Sequence, residues 1–112
     1  MTERNPYKQI IDHYGEKHQI RKLAEEQYEL IEALYDRFVH GEDVPDMFED
    51  SQEITWFDEE TDRLNTNIAD EIADCLVVIR QFMAMYGITQ ERVERHVEKK
   101  LKRQLEMIEK GE

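Results

Sequence analysis

The segment Ile68–Tyr86, with the sequence IADEIADCLVVIRQFMAMY, decides the fold of this 112-residue chain. Its apolar residues recur at helical spacing and cover nearly the whole circumference of one helix. A helix that is apolar all round is buried, and two or three neighbours from so short a chain cannot surround it. We therefore predict an all-α helix bundle whose core is completed by a second copy of the chain, as a homo-oligomer (a dimer or a tetramer).

The rest of the chain adds three more helices to this one. Prolines and glycines are scarce, and those at Pro6, Gly15, Gly41 and Gly87 stand between periodic segments. No stretch alternates convincingly with a period of two, so no sheet is expected. The predicted helices cover about 7–13, 16–39, 61 or 67 to 86, and 90–109. The sequence thus predicts one domain over residues 1–112, with about four helices per chain.

An acidic segment at about 42–62 separates the second and third predicted helices. It contains ten acidic residues and neither lysine nor arginine. We interpret it as a solvated acidic loop with short helical pieces. An alternative is a lid over a binding site, in which Trp56 or Phe57 stacks on a nucleotide base.

The net charge of −12 restricts the possible partners. A basic surface for nucleic acid is absent, and an anionic membrane would repel the chain. The single cysteine, Cys75, excludes an internal disulfide and fits a reducing compartment. The N-terminal residues lack an apolar signal region, and the longest apolar run is too short to span a membrane. A soluble, cytoplasmic protein is expected.

Two groups of carboxylates stand out by their spacing. Glu25, Glu26 and Glu29 share one face of the second predicted helix, and Glu71 and Asp74 lie three apart on the third. Separately, the first group is compatible with a solvated helix face and the second with ion pairs to arginine. Together, facing each other between two helices, they would form a costly cluster of like charges that a hard divalent cation neutralises. Neither group contains a Glu-x-x-His motif of di-iron bundles, so magnesium or manganese is favoured.

The residues around these carboxylates resemble a known family. KLAEEQYEL at Lys22–Leu30 and IADEIADCL at Ile68–Leu76 resemble the EExxE…ExxD signature of MazG-like nucleoside triphosphate pyrophosphohydrolases, an all-α superfamily. The resemblance covers about residues 7–110, apart from the acidic segment. The gap between Glu29 and Glu71 is longer than is usual in the family, which implies an inserted loop and leaves the substrate specificity open.

The resemblance also implies an activity and residue roles. The expected reaction cleaves a nucleoside triphosphate between its α- and β-phosphates, giving a monophosphate and pyrophosphate. Glu25 would orient or deprotonate the attacking water. The residues that would hold Mg²⁺, or Mn²⁺, are Glu26, Glu29, Glu71 and Asp74. The candidates for substrate contacts are Gln19, Lys22, Lys100, Arg103 and Trp56.

Several of these substrate contacts have simpler explanations, and other functions remain open. Lys100 and Arg103 would neutralise phosphate oxygens, or else form a solvated basic patch, and Gln19 is compatible with an ordinary surface position. The chain could instead be a non-catalytic dimeric helical interaction module that binds a basic protein. Another alternative, within the same superfamily, is a phosphoribosyl-ATP pyrophosphatase.

Overall fold

The computed structural model describes residues 5–43 and 51–111, which contain four helices. They are α1 (Pro6–Tyr14), α2 (Glu16–Asp43), α3 (Ser51–Tyr86) and α4 (Gln90–Glu109). No strand occurs in these two ranges. The all-α class and the number of helices that the sequence predicted are thus confirmed.

Local sequence signals explain most of the helix ends. The Asn5 side chain caps α1 by accepting hydrogen bonds from the backbone N–H groups of residues 7 and 8. Gly15 and Gly87 take positive φ angles of 92° and 69°, a region that favours glycine, and they separate α1 from α2 and end α3. Thr89 caps α4, its hydroxyl accepting from the Arg92 N–H at 3.1 Å. Gly41 does not end α2 as predicted, because the helix continues through it to Asp43.

Helix α3 corrects the predicted extent of the acidic loop. It begins at Ser51 and not at Thr61 or Asn67, so the residues from 51 to 62 are helical. Acidic residues are compatible with a helix, and Glu60 forms an ion pair with Arg63 one turn later. That pairing lowers the pKa of Glu60. The remainder of the predicted loop, residues 44–50, lies outside the described residues.

The packing of α1, α2 and α3 forms the interior of the chain. Helix α2 runs against α3, and α1 packs on both. The buried apolar residues are Ile11, Leu64, Cys75 and Val78. Helix α3 is not enclosed within one chain, however, because Ile72, Leu76 and Val77 remain partly exposed. Completion of the core by a second copy therefore stays a prediction.

Helix α4 stands apart from this interior. The chain bends by 116° between the segment Glu59–Tyr86 and α4, and α4 has no buried residue. Among the described residues, no single helix is both long and apolar enough to cross a membrane, and only this bent pair passes that test, by length and composition.

Candidate metal and nucleotide site

Four carboxylates meet where α2 packs against α3. Glu26 and Glu29 come from successive turns of α2, and Glu71 and Asp74 from successive turns of α3. One oxygen from each of the four lies within 4.8 Å of the others. The spacing of three residues on each helix directs both pairs towards the same contact. The sequence-predicted cluster is therefore assembled, and its geometry is that of a group that can hold a metal ion.

The cluster contains buried oxygens without hydrogen-bond partners. Glu26 is only 5% exposed, and its Oε2 atom, like Oε2 of the half-buried Glu71, has no partner among the described residues. Glu29 and Asp74 are exposed and open the cluster to solvent. A buried carboxylate oxygen that makes no hydrogen bond is costly, and a cation bound at this position would remove that cost.

Burial, and then electrostatic repulsion within the cluster, favours protonation of Glu71 and Asp74. Burial and then the charge of Glu29 raise the pKa of Glu71. Burial and then the charge of Glu26 raise the pKa of Asp74. Cys75 is buried behind the cluster, and burial together with the nearby carboxylates raises the pKa of its thiol. This environment suits a core thiol and not a nucleophile.

Lys22 is the cation beside the cluster. Its Nζ lies 3.0 Å from Glu26 Oε1 and 3.9 Å from Glu25 Oε2. The hydrogen bond to Glu26 raises the pKa of Lys22. The Glu25 side chain is 68% exposed and does not belong to the four-carboxylate group.

A groove of about 350 Å³ extends from the cluster between α1, α2 and α3. Its floor carries two buried amides, with Gln19 Nε2 donating to Gln81 Oε1 at 2.8 Å. The Tyr14 ring stacks on His18 with centroids 5.1 Å apart. The lining residues are Ile10, Tyr14, His18, Gln19, Lys22, Glu26, Asp74, Val77, Val78 and Gln81. One end is thus polyanionic, and the rest is apolar with a few polar groups, which is typical of small-molecule sites.

The predicted substrate contacts divide into two sets in this geometry. Gln19 and Lys22 line the groove beside the carboxylates. Lys100 and Arg103 are exposed on α4, and no ion pair in the described part of the chain joins them to the cluster. The Trp56 side chain lies outside the described residues.

Gln81 is the groove residue that sequence reasoning missed. It stands, with Arg80, inside the otherwise apolar stretch Leu76–Met85 of α3. It lies seven residues after Asp74 and therefore on the same helix face. A polar residue at this spacing within an apolar helix was the available signal. Tyr14 and His18 were missed as well, because only the packing of α1 brings them to the groove.

The family comparison agrees with this site. Residues 15–107 match the MazG nucleotide pyrophosphohydrolase domain, and the chain belongs to that family. The predicted resemblance is thereby confirmed. No curated protein and no solved structure matches the chain significantly.

Proposed function

We propose that this protein is a magnesium-dependent pyrophosphohydrolase that cleaves a ribo- or deoxyribonucleoside triphosphate between the α- and β-phosphates. The products are a nucleoside monophosphate and pyrophosphate. The observation that carries the proposal is the group of four carboxylates with two buried, unpartnered oxygens. Membership of a family of nucleotide pyrophosphohydrolases supports the reaction type.

The donor set fits a hard divalent cation. Magnesium takes oxygen ligands and usually keeps positions for substrate phosphates, and manganese accepts similar ligands. Glu26, Glu29, Glu71 and Asp74 would hold it, because their oxygens already lie within reach of one centre. When bound, the cation would neutralise the charge that develops on the phosphate oxygens.

The neighbouring residues supply positioning and a base. Glu25 lies one residue before the ligand Glu26 and is solvent-exposed, so we assign it to orient and deprotonate the attacking water. Lys22 pairs with Glu26 and lies at the groove, where its ammonium would contact a phosphate. Gln19 would contact the substrate from the groove floor, and Lys100 and Arg103 would bind phosphate from α4.

A homo-oligomer is part of the proposal. Helix α4 exposes an apolar stripe at Val93, Val97, Leu101, Leu105 and Ile108, which fits a helix whose partner is a second chain. The radius of gyration is 19.2 Å, whereas a compact monomeric domain of this length would have about 13 Å. An extended chain with an uncovered stripe supports a dimer or a tetramer, and the assembly would determine where Lys100 and Arg103 lie relative to a neighbouring site.

The decisive experiment is a pyrophosphate-release screen with magnesium. It covers the common ribo- and deoxyribonucleoside triphosphates and phosphoribosyl-ATP, and it detects the monophosphate and pyrophosphate together. We expect stoichiometric release of both products from at least one triphosphate. The Glu71→Gln variant, purified in the same way, is the control for a contaminating hydrolase, because it should lose the activity whereas a contaminant would remain. Release of orthophosphate alone, equal activity in Glu71→Gln, or no turnover of any substrate would refute the proposed function.

A further inference from the structure

A directional chain of hydrogen bonds runs along the groove floor. His18 Nδ1 lies 2.7 Å from Gln19 Oε1, and Gln19 Nε2 donates to Gln81 Oε1 at 2.8 Å. Since Gln19 uses its oxygen towards His18, the Nδ1 atom is the donor in this arrangement. The Gln19 oxygen thus accepts from His18, and the Gln81 oxygen accepts from Gln19. In this arrangement the chain ends at the amide nitrogen of Gln81.

Within the described residues, that terminal nitrogen makes no hydrogen bond. Gln81 is only 2% exposed and lines the groove, and no residue in the described ranges accepts a hydrogen bond from its Nε2 atom. Because Gln81 lines the groove, this N–H group is placed to donate to a ligand there that presents an acceptor.

The position of the groove identifies which part of a nucleotide it receives. Glu26 and Asp74 belong both to the carboxylate cluster and to the groove wall. A triphosphate placed at the cluster therefore directs its nucleoside into the groove. Apolar side chains of Ile10, Val77 and Val78 line the walls. These walls suit a flat ring whose edge reaches the buried amide.

We propose that Gln81 recognises the base of the nucleotide and selects a carbonyl oxygen over an amino group at the contacted edge. This inference rests on the proposed function, because it assumes that phosphates occupy the carboxylate end. Uracil and thymine carry an oxygen at ring position 4, where cytosine carries an amino group. An amino group facing the Gln81 N–H group would place two donors against each other, and neither would have an acceptor. Such a mismatch gives strong discrimination against cytosine in favour of uracil or thymine.

The test compares two ligands that differ only at the pyrimidine edge. The α,β-methylene analogues of UTP and CTP, in ribo and deoxyribo forms, are titrated calorimetrically into the full-length protein with magnesium. Because their α–β bridge resists cleavage, binding is measured without turnover. We expect the uracil analogue to bind about tenfold more tightly or better, the scale of one buried hydrogen bond lost.

Two substitutions at one position test the mechanism. Gln81→Glu keeps the acceptor for Gln19 but presents an oxygen to the ligand, so the preference should reverse towards cytosine. Gln81→Leu removes the donor, so the affinity ratio should fall towards one. Gln104→Leu, at an exposed position on α4, is the matched control and should keep the wild-type ratio. Circular dichroism melting verifies that each variant is folded.

The outcomes separate this inference from the proposed function. Equal affinities of the wild-type protein for the two analogues, a preference for cytosine, or no binding of either would overturn the role of Gln81. So would an unchanged ratio in both folded Gln81 variants. If a variant does not fold, the ratio of the wild-type affinities for the two analogues still tests the inference. A second test is the NMR resonance of the Gln81 side-chain amide, which should shift when the uracil analogue binds. Selective binding of the uracil analogue without pyrophosphate release from any triphosphate in the screen would refute the hydrolase and leave the base recognition standing.

Discussion

Lys22 and Glu26, one turn apart on α2, form an ion pair in which Nζ lies 3.0 Å from Oε1, while the other oxygen of Glu26 is buried without a partner. The lysine thus neutralises only one side of a carboxylate that also faces Glu29, Glu71 and Asp74. A cation bound among the carboxylates would complete the neutralisation. The ion pair and the metal would therefore share Glu26, with the lysine on the side that faces the groove.

Replacement of Lys22 should separate its contribution to the stability of the metal-free protein from its contribution to nucleotide binding. In Lys22→Met, the metal-free protein loses the ammonium that pairs with Glu26, so its melting temperature should fall. The rise in melting temperature on adding magnesium should be larger than in the wild type. The KM for nucleotide should rise roughly three- to tenfold, since a charge-assisted contact to phosphate is lost. Calorimetric melting and steady-state kinetics measure these effects. Lys8→Met is the control, because Lys8 pairs with Asp12 on α1. Equal effects of the two substitutions would contradict the assignment.

Magnesium should stabilise the folded protein through the carboxylate cluster. A ligand that binds only the native state at a hundred times its Kd contributes about 2.7 kcal/mol, which corresponds to a rise in melting temperature on the order of ten degrees in a domain of this size. Glu71→Gln should lose most of that rise. Glu106→Gln, on the exposed surface of α4, should retain it. A full magnesium shift in Glu71→Gln would mean that the ion binds elsewhere.

The raised pKa values of Glu71 and Asp74 predict how stability depends on pH. Between their ordinary pKa values of about 4 and the raised values, the native state holds more protons than the unfolded chain. The free energy of unfolding of the metal-free protein should therefore decrease as pH rises through this window. Magnesium competes with these protons, so its stabilising effect should increase over the same window.

Urea unfolding between pH 4.5 and 7.5, with magnesium or with a chelator, measures both trends. Asp74→Asn is the informative variant, because an amide removes one of the two titrating groups and should flatten the metal-free profile. A magnesium increment that stays constant down to pH 4.5 would be incompatible with proton competition at these carboxylates.

The carboxylate cluster could be predicted because its geometry is local to two helices. A spacing of three residues places Glu26 with Glu29, and Glu71 with Asp74, whatever the rest of the chain does. Only the facing of the two pairs required tertiary packing, and the apolar faces of α2 and α3 supplied it. The all-α class followed from the same periodicity.

The groove and the start of α3 could not be predicted from the local sequence pattern. Gln19 and Gln81 are 62 residues apart, so their hydrogen bond follows only from the packing of α2 against α3. The segment from Ser51 onwards seemed a loop because of its charge. Yet acidic residues are compatible with a helix, and ion pairs such as Glu60–Arg63 stabilise one.

The uncovered stripe on α4 predicts an oligomer that charged substitutions disrupt. Multi-angle light scattering at micromolar concentration should report at least two chains, against 13.6 kDa for one. Leu101→Glu combined with Leu105→Glu should reduce the mass to that of a monomer, because two charges would be buried at the apolar contact. Lys99→Glu introduces the same side chain away from the stripe and should leave the mass unchanged. A monomeric wild-type protein would refute the shared core.

The exposed position of Glu25, next to the cluster but outside it, predicts that its substitution affects turnover and not metal binding. Glu25→Gln keeps the size of the side chain but cannot accept a proton, so turnover should fall about 100-fold or more, the usual scale for loss of a general base. Its magnesium dependence should stay close to that of the wild type.

The comparison variants each remove the charge of one proposed metal ligand; they are Glu26→Gln, Glu29→Gln and Asp74→Asn. Excess magnesium should partly restore their activity. A magnesium titration of turnover for each variant distinguishes the two classes. Recovery of Glu25→Gln by magnesium alone would make Glu25 a ligand, and the water would then have to be activated by a different carboxylate.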